Sequence, residues 1–70
     1  PAMEASALNG FAELHRGEGR LSEARPLYAT ALERAQQAGD RISAAIMANN
    51  LAMTLIDLEE HAAARQVLLT

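Results

Sequence analysis

The last part of the sequence resembles the first part when residues 41–70 are placed against residues 1–30. Six of the thirty pairs are identical: Ala5/Ala45, Asn9/Asn49, Ala12/Ala52, Ala24/Ala64, Arg25/Arg65 and Thr30/Thr70. Large residues also meet large ones, as in Phe11/Leu51 and Tyr28/Leu68. We call this shift, which pairs residue 1 with residue 41, the repeat offset. Self-similarity at a fixed period is typical of stacked supersecondary units. We therefore expect a single module over residues 1–70, with one unit at about 5–38 and a second, incomplete unit at about 41–70.

Apolar residues recur at three- and four-residue steps in four segments, as one face of a helix requires. These segments predict helices over about Met3–Arg16, Leu21–Ala38, Arg41–Leu58 and Ala62–Thr70. The apolar face predicted for the first helix consists of Leu8, Phe11, Ala12, Leu14 and His15. Gly19 and Gly39 permit the positive φ of a helix C-terminus, and Asp40 is a strong N-cap. Because short connections make neighbouring helices antiparallel, the sequence predicts an all-α fold of two stacked antiparallel helix hairpins.

The residues that match between the two units resemble the signature of the tetratricopeptide repeat family. That signature is large–x₂–large–small–x₂–large on the first helix, Gly near the turn, and small–x₃–aromatic–x₂–small on the second. The first copy reads Leu8, Phe11, Ala12, His15, Gly19, Leu21, Ala24, Tyr28, Ala31 and Leu32. The second copy reads Ala48, Leu51, Ala52, Leu55, His61, Ala64 and Leu68, with Glu59 in place of the turn Gly. The period, together with Gly39-Asp40 and Asn50-Leu51-Ala52, resembles the long 40-residue variant found in scaffolds of G-protein signalling and in bacterial regulators.

The resemblance implies a concave surface lined by the first helix of each hairpin, on which protein partners lie as extended peptides or helices. It implies a non-catalytic binding module in a larger bacterial, cytoplasmic regulatory or scaffold protein. The implied face consists of Asn9, Glu13, Arg16, Asn49, Asn50, Met53, Ile56 and Asp57, with Ser6 and Ile46 beside them. Asn50 matches a family position at which Asn hydrogen-bonds a ligand's backbone, since a carboxamide both donates and accepts. The alternative for Asn50 is a surface polar residue without a ligand.

Self-association is the alternative function. Stacked repeats normally need three or more units for stability, and the sequence holds fewer than two complete copies. Its last predicted helix exposes Val67, Leu68 and Leu69, an apolar end of the kind that marks association sites. We therefore expect either a homo-oligomer formed through exposed end helices or a structural segment of a longer repeat array. The start at Pro1 and the stop inside an apolar run indicate a piece of a longer protein.

Composition argues against other classes of function. The net charge is −3 with acids and bases interspersed, whereas nucleic-acid binders present a basic face. No apolar stretch is long enough to predict a membrane span. The chain has no Cys, and neither His15 nor His61 has a second ligand at metal-binding spacing; we interpret both as packing or capping residues. No serine lies in a nucleophile elbow. We therefore expect no catalytic residue, no cofactor, no metal, no nucleic-acid contact and no membrane contact.

Overall fold

Four α-helices make up the computed structural model, which describes residues 2–69. They are α1 (Ala2–Gly17), α2 (Leu21–Gln37), α3 (Arg41–Asp57) and α4 (His61–Leu69). The four predicted helices are confirmed to within one residue at most ends, and Thr70, the predicted end of the fourth, lies outside the described residues. Glu4 at the start of α1 pairs with Arg34 at the end of α2, at 2.6 Å, as an antiparallel hairpin requires. The predicted all-α stack of two helix hairpins is confirmed.

All three connections between helices have the same geometry. Each places one residue in the left-handed region of φ, at +79° in Gly19, +72° in Gly39 and +64° in Glu59. The amide of the following residue then bonds back over the last helical turn: Arg20 N to His15 O at 2.8 Å, Asp40 N to Ala35 O at 3.0 Å, and Glu60 N to Leu55 O at 2.7 Å. These bonds satisfy carbonyls that the end of a helix leaves unpaired. Because the left-handed residues are evenly spaced, every second connection is equivalent, which explains the repeat offset seen in the sequence.

Asp40 begins α3 as the predicted N-cap. Its side chain accepts a hydrogen bond from the Ser43 backbone N–H at 3.0 Å. Hydrogen bonds from the Ser43 side chain and then from the Ser43 backbone hold the pKa of Asp40 below its usual value. Arg20 holds the equivalent place before α2 and makes no capping hydrogen bond with its side chain within the described residues. The two hairpins therefore share a turn geometry, but α2 and α3 differ in how they are started.

The core lies between the hairpins, and small residues occupy the helix crossings. Tyr28 of α2 is fully buried against Leu51 and Leu55 of α3. The small residues of this cluster are Ala12, Ala24, Ala52 and Ala64, and a second cluster contains Ala5, Ala31, Ala35 and Met47. The pairs Ala12/Ala52 and Ala24/Ala64 are buried in both hairpins. The size pattern of the repeat therefore reflects close approach of helix backbones, which only small side chains allow.

The predicted apolar face of α1 is wrong at two positions. Phe11 is 60% exposed and Leu14 is 59% exposed, although the apolar periodicity predicts that both pack on the same face as Ala12. Their equivalents on α3, Leu51 and Thr54, are buried, because α3 packs against the hairpin that precedes it. Among the described residues α1 has no such preceding hairpin, so the same face of α1 is open.

Candidate functional site

The first helices of the two hairpins, α1 and α3, lie side by side. They contact each other through side chains of the predicted binding face. Asn50 donates from Nδ2 to Oδ1 of Asn9 at 3.3 Å. Arg16 Nη2 lies 4.0 Å from the Sδ atom of Met53, a weak acceptor. These contacts join residues 41 and 37 positions apart in the sequence. The structure therefore brings the α1 and α3 parts of the predicted face together.

The α1 part of this face is polar. Asn9 donates from Nδ2 to Oε1 of Glu13 at 3.2 Å, one helical turn later. Ser6 and Glu13 are exposed, and Asn9 and Arg16 are half-buried. Asn9 accepts from Asn50 and donates to Glu13, so it links the two helices with one carboxamide.

The α3 part of the face combines apolar and carboxamide side chains. Ile46, Met53 and Ile56 are about half exposed, and Asn49 donates from Nδ2 to the sulfur of Met53 at 3.7 Å. Ile42, which sequence reasoning left out, continues this row and is 77% exposed. It precedes Ile46 by one helical turn, so the helical spacing that relates Ile46, Met53 and Ile56 could also have found it. Asp57 is exposed at the end of the row.

Asn50 lies in the seam between α1 and α3. It is half-buried, and its backbone carbonyl accepts a hydrogen bond from the buried Thr54 hydroxyl at 2.9 Å. Its side-chain amide uses one N–H to donate a hydrogen bond to Asn9. A carboxamide has a second N–H donor and an oxygen acceptor with two lone pairs. Asn50 therefore supports the seam and keeps polar capacity for a further partner.

A hollow of about 300 Å³ lies at one end of this surface, lined by Glu13, Arg16, Gly17 and Tyr28. The Tyr28 hydroxyl is buried and has no hydrogen-bond partner among the described residues. Buried hydroxyls of this kind are normally satisfied by water or by another polar group. The hollow therefore offers a donor and acceptor next to one carboxylate and one guanidinium.

A larger hollow of about 470 Å³ lies where α2, α3 and α4 meet. Its walls include Leu32, Ala45, Ala48, Val67 and Leu68. The described part of α4, His61–Leu69, corresponds by the repeat offset to residues 21–29 of α2. The second half of α2 helps to bury Ala5 on α1, while the equivalent Ala45 on α3 is exposed.

The three predicted self-association residues differ in exposure. Leu68 is 58% exposed and Leu69 is 75% exposed. Val67 is half-buried and packs against the main core cluster. An open apolar surface at the end of α4 is therefore made chiefly by the two leucines.

Groups that could carry chemistry are dispersed over residues 2–69. Nowhere in that range do three His, Cys, Asp or Glu side chains gather in a way that could hold a metal ion. His15 is half-buried, and its Nδ1 atom has no hydrogen-bond partner within the described range. Across residues 2–69, every helix is too short or too polar to traverse a lipid bilayer. What the arrangement offers is a contact surface of carboxamides, charges and exposed apolar groups.

The family model described as tetratricopeptide repeat matches residues 3–69. No curated protein and no solved structure matches the chain.

Proposed function

This chain belongs to the tetratricopeptide repeat family of protein-interaction modules, and we propose that it binds a protein partner along the face shared by α1 and α3. The binding face consists of Asn9, Glu13, Arg16, Asn49, Asn50, Met53, Ile56 and Asp57. We also propose, from the resemblance of its long repeat to bacterial regulators, that it serves in a larger regulatory or scaffold protein in the bacterial cytoplasm. No catalytic step is part of this proposal.

The observation that carries the proposal is the contact of Asn50 with Asn9 across the seam, beside the contact of Arg16 with Met53. A partner lying along the seam would meet residues of both helices at once. Carboxamides would read its main chain, and the exposed Met53 and Ile56 would bury its apolar side chains. Met is well suited to this, since its unbranched thioether adapts to different shapes.

The test uses peptides selected from a phage-displayed library of random 16-residue sequences. We expect Asn50→Ala and Met53→Ala each to weaken binding of the selected peptides by tenfold or more, measured by fluorescence anisotropy. Glu33→Ala, at an exposed position of α2 away from α1 and α3, is the matched control and should change the affinity by less than twofold. Circular dichroism should show unchanged helicity in all three variants. Selected peptides that bind both variants of the face as tightly as the native chain would contradict the proposal.

Self-association is the second candidate, and the exposure of Leu68 and Leu69 favours it. Under this function, the solution mass measured by light scattering rises with concentration. Leu69→Asp should then return the chain to the monomer mass, because a charge would be buried without a partner. A monomer mass at all concentrations would exclude this function and would leave binding at the α1–α3 face in place.

A further inference from the structure

Two equivalent asparagines, one on each first helix, donate to different acceptors one helical turn later. Asn9 donates from Nδ2 to Oε1 of Glu13 at 3.2 Å, and Asn49 donates from Nδ2 to the sulfur of Met53 at 3.7 Å. The repeat offset pairs Asn9 with Asn49 and Glu13 with Met53. A carboxylate oxygen is a strong acceptor, whereas a thioether sulfur is a weak one. Helix α3 therefore keeps the donor of this pair but has sulfur where α1 has an acceptor oxygen.

A second donor reaches the same sulfur from the other helix. Arg16 of α1 places Nη2 at 4.0 Å from the Sδ atom of Met53. An oxygen bonded to this sulfur would lie about 1.5 Å from it. If that oxygen accepted a hydrogen bond of about 2.9 Å at an angle of about 120°, the donor nitrogen would be about 3.9 Å from the sulfur. The observed distances of 3.7 Å and 4.0 Å lie on either side of this value, so both donors are placed to bond to an oxygen added to Met53.

Met53 is also accessible to a dissolved oxidant. It is 42% exposed, whereas Met47 is 3% exposed and packs in the core. Oxidation to the sulfoxide turns a flexible apolar side chain into a polar one, and methionine sulfoxide reductases reverse it. In the reaction with hydrogen peroxide, a sulfur lone pair attacks one peroxide oxygen and the O–O bond breaks. Sulfur gives up two electrons and keeps that oxygen, while the other oxygen leaves as water with both peroxide protons.

We propose that Met53 is a reversible oxidation site, at which a peroxide forms a sulfoxide whose oxygen accepts hydrogen bonds from Asn49 and Arg16. The bond from Arg16 is charge-assisted and joins α1 to α3, so oxidation stabilises the contact between the two hairpins. Oxidation also replaces an exposed apolar group on the α1–α3 face by a polar one, and it therefore weakens binding of a partner's apolar side chains. This effect on binding rests on the proposed function, while the oxidation and its hydrogen bonds do not.

The first test measures the sulfoxide itself, in chains that carry Met3→Leu so that Met47 and Met53 are the two remaining methionines. After treatment with hydrogen peroxide, peptide mass spectrometry should show that Met53 gains one oxygen at least tenfold faster than Met47. Complete oxidation of Met53 should raise the Tm by about 2 °C or more in a domain of this size. A Tm that oxidation leaves unchanged or lowers would overturn the proposal.

Variants of the two donors test what holds the sulfoxide oxygen. Arg16→Ala and Asn49→Ala should each remove at least half of the Tm gain that oxidation produces. The matched control is Arg20→Ala, at an exposed position outside the Met53 contacts, which should keep the whole gain. Equal gains in all of these variants would show that the donors do not bind the oxygen and would overturn the site. Circular dichroism of each reduced variant checks that its helices are intact.

The effect on binding is tested with the peptides selected against the native chain, by fluorescence anisotropy before and after oxidation. Oxidation should weaken binding tenfold or more, and reductases for both sulfoxide epimers, with dithiothreitol as reductant, should restore it. Met53→Leu, which keeps an apolar side chain without sulfur, should show no response to peroxide.

The outcomes separate this inference from the proposed function. Peptides that bind the oxidised chain as tightly as the reduced chain overturn the effect of oxidation on binding, and if Asn50→Ala still weakens them the proposed function stands. If no selected peptide depends on the α1–α3 face, the proposed function fails. A Tm gain on oxidation that is lost with Arg16→Ala then still supports Met53 as the oxidation site.

Discussion

The two hairpins have the same backbone plan but different surfaces. Their turns place Gly19 and Glu59 in the same left-handed conformation, and their second helices begin at Leu21 and His61, which the repeat offset pairs. Yet α1 carries the polar residues Ser6, Glu13 and Arg16, while the equivalent positions of α3 hold the exposed apolar residues Ile46, Met53 and Ile56. On another face of these two helices it is α1 that exposes an apolar side chain, since Phe11 of α1 is exposed and its equivalent Leu51 of α3 is buried.

This comparison distinguishes residues that hold a hairpin together from residues that contact whatever lies next to it. Positions that are small and buried in both copies, such as Ala12 and Ala52, are set by the distance between helices. Positions that differ in burial between the copies are set by what packs next to each hairpin. Equivalent positions therefore provide natural controls, because the same kind of substitution can be made in two places with one backbone geometry.

The largest expected effect comes from truncating the buried member of the pair Phe11/Leu51. Leu51→Ala removes a side chain that is 6% exposed and should lower the free energy of unfolding by about 2–5 kcal/mol. Phe11→Ala should lower it by less than about 1 kcal/mol, because that ring already lies mostly in water. Urea unfolding followed by circular dichroism measures both values.

Leu51→Val keeps this comparison measurable if Leu51→Ala does not fold, since it removes less volume from the same site. If Phe11→Ala and Leu51→Ala lowered the free energy of unfolding by similar amounts, Phe11 would have to be covered in solution. The open side of α1 would then be an interface, and the contrast between the hairpins would disappear.

An intermediate effect is expected at the turns. Glu59 is a non-glycine residue with φ at +64°, a conformation that costs an L-residue roughly 1–2 kcal/mol. Glu59→Gly should therefore raise the free energy of unfolding by about 0.5–1 kcal/mol, after allowance for the greater freedom of Gly in the unfolded chain. Gly19→Ala should lower it by a similar amount, because Gly19 has φ at +79°. Thermal melts of the two variants measure this, and a less stable Glu59→Gly variant would show that the Glu59 side chain stabilises its turn.

The sequence was sufficient for the helices, turns and hairpin order, because these depend on local signals. Gly39 and Asp40 mark one turn, and the repeat offset places Glu59 at another even without a glycine. The sequence was not sufficient for the burial of Phe11 and Leu14, since burial depends on which helix lies beside α1.

The proposed binding face shows the same division between local and tertiary information. The family resemblance grouped most of its residues, but it did not show the seam bond from Asn50 to Asn9, which depends on how α1 and α3 pack. It does not include Ile42, because a family position does not follow the row of exposed residues along α3 to its start.

The smallest expected effect concerns the starts of α2 and α3. Hydrogen bonds from Ser43 lower the pKa of Asp40, so the folded state favours the charged carboxylate. The stabilisation from this cap is complete above the usual carboxyl pKa of about 3.9. It is lost as the pH falls through the lower pKa of the folded state. The stability difference between the native chain and Asp40→Asn, measured by urea unfolding, should therefore be constant above about pH 5. It should shift toward the variant in acid, since Asn caps without titrating.

Ser43→Ala tests which hydrogen bond holds this cap. It should raise the Asp40 pKa measured by NMR, because it removes the side-chain hydrogen bond that lowers this pKa most. An unchanged Asp40 titration in Ser43→Ala would show that the backbone bond alone holds the cap. Helix α3 would still differ from α2, because the Asp40 carboxylate would accept the bond from the Ser43 backbone N–H, whereas the Arg20 side chain caps nothing within the described residues.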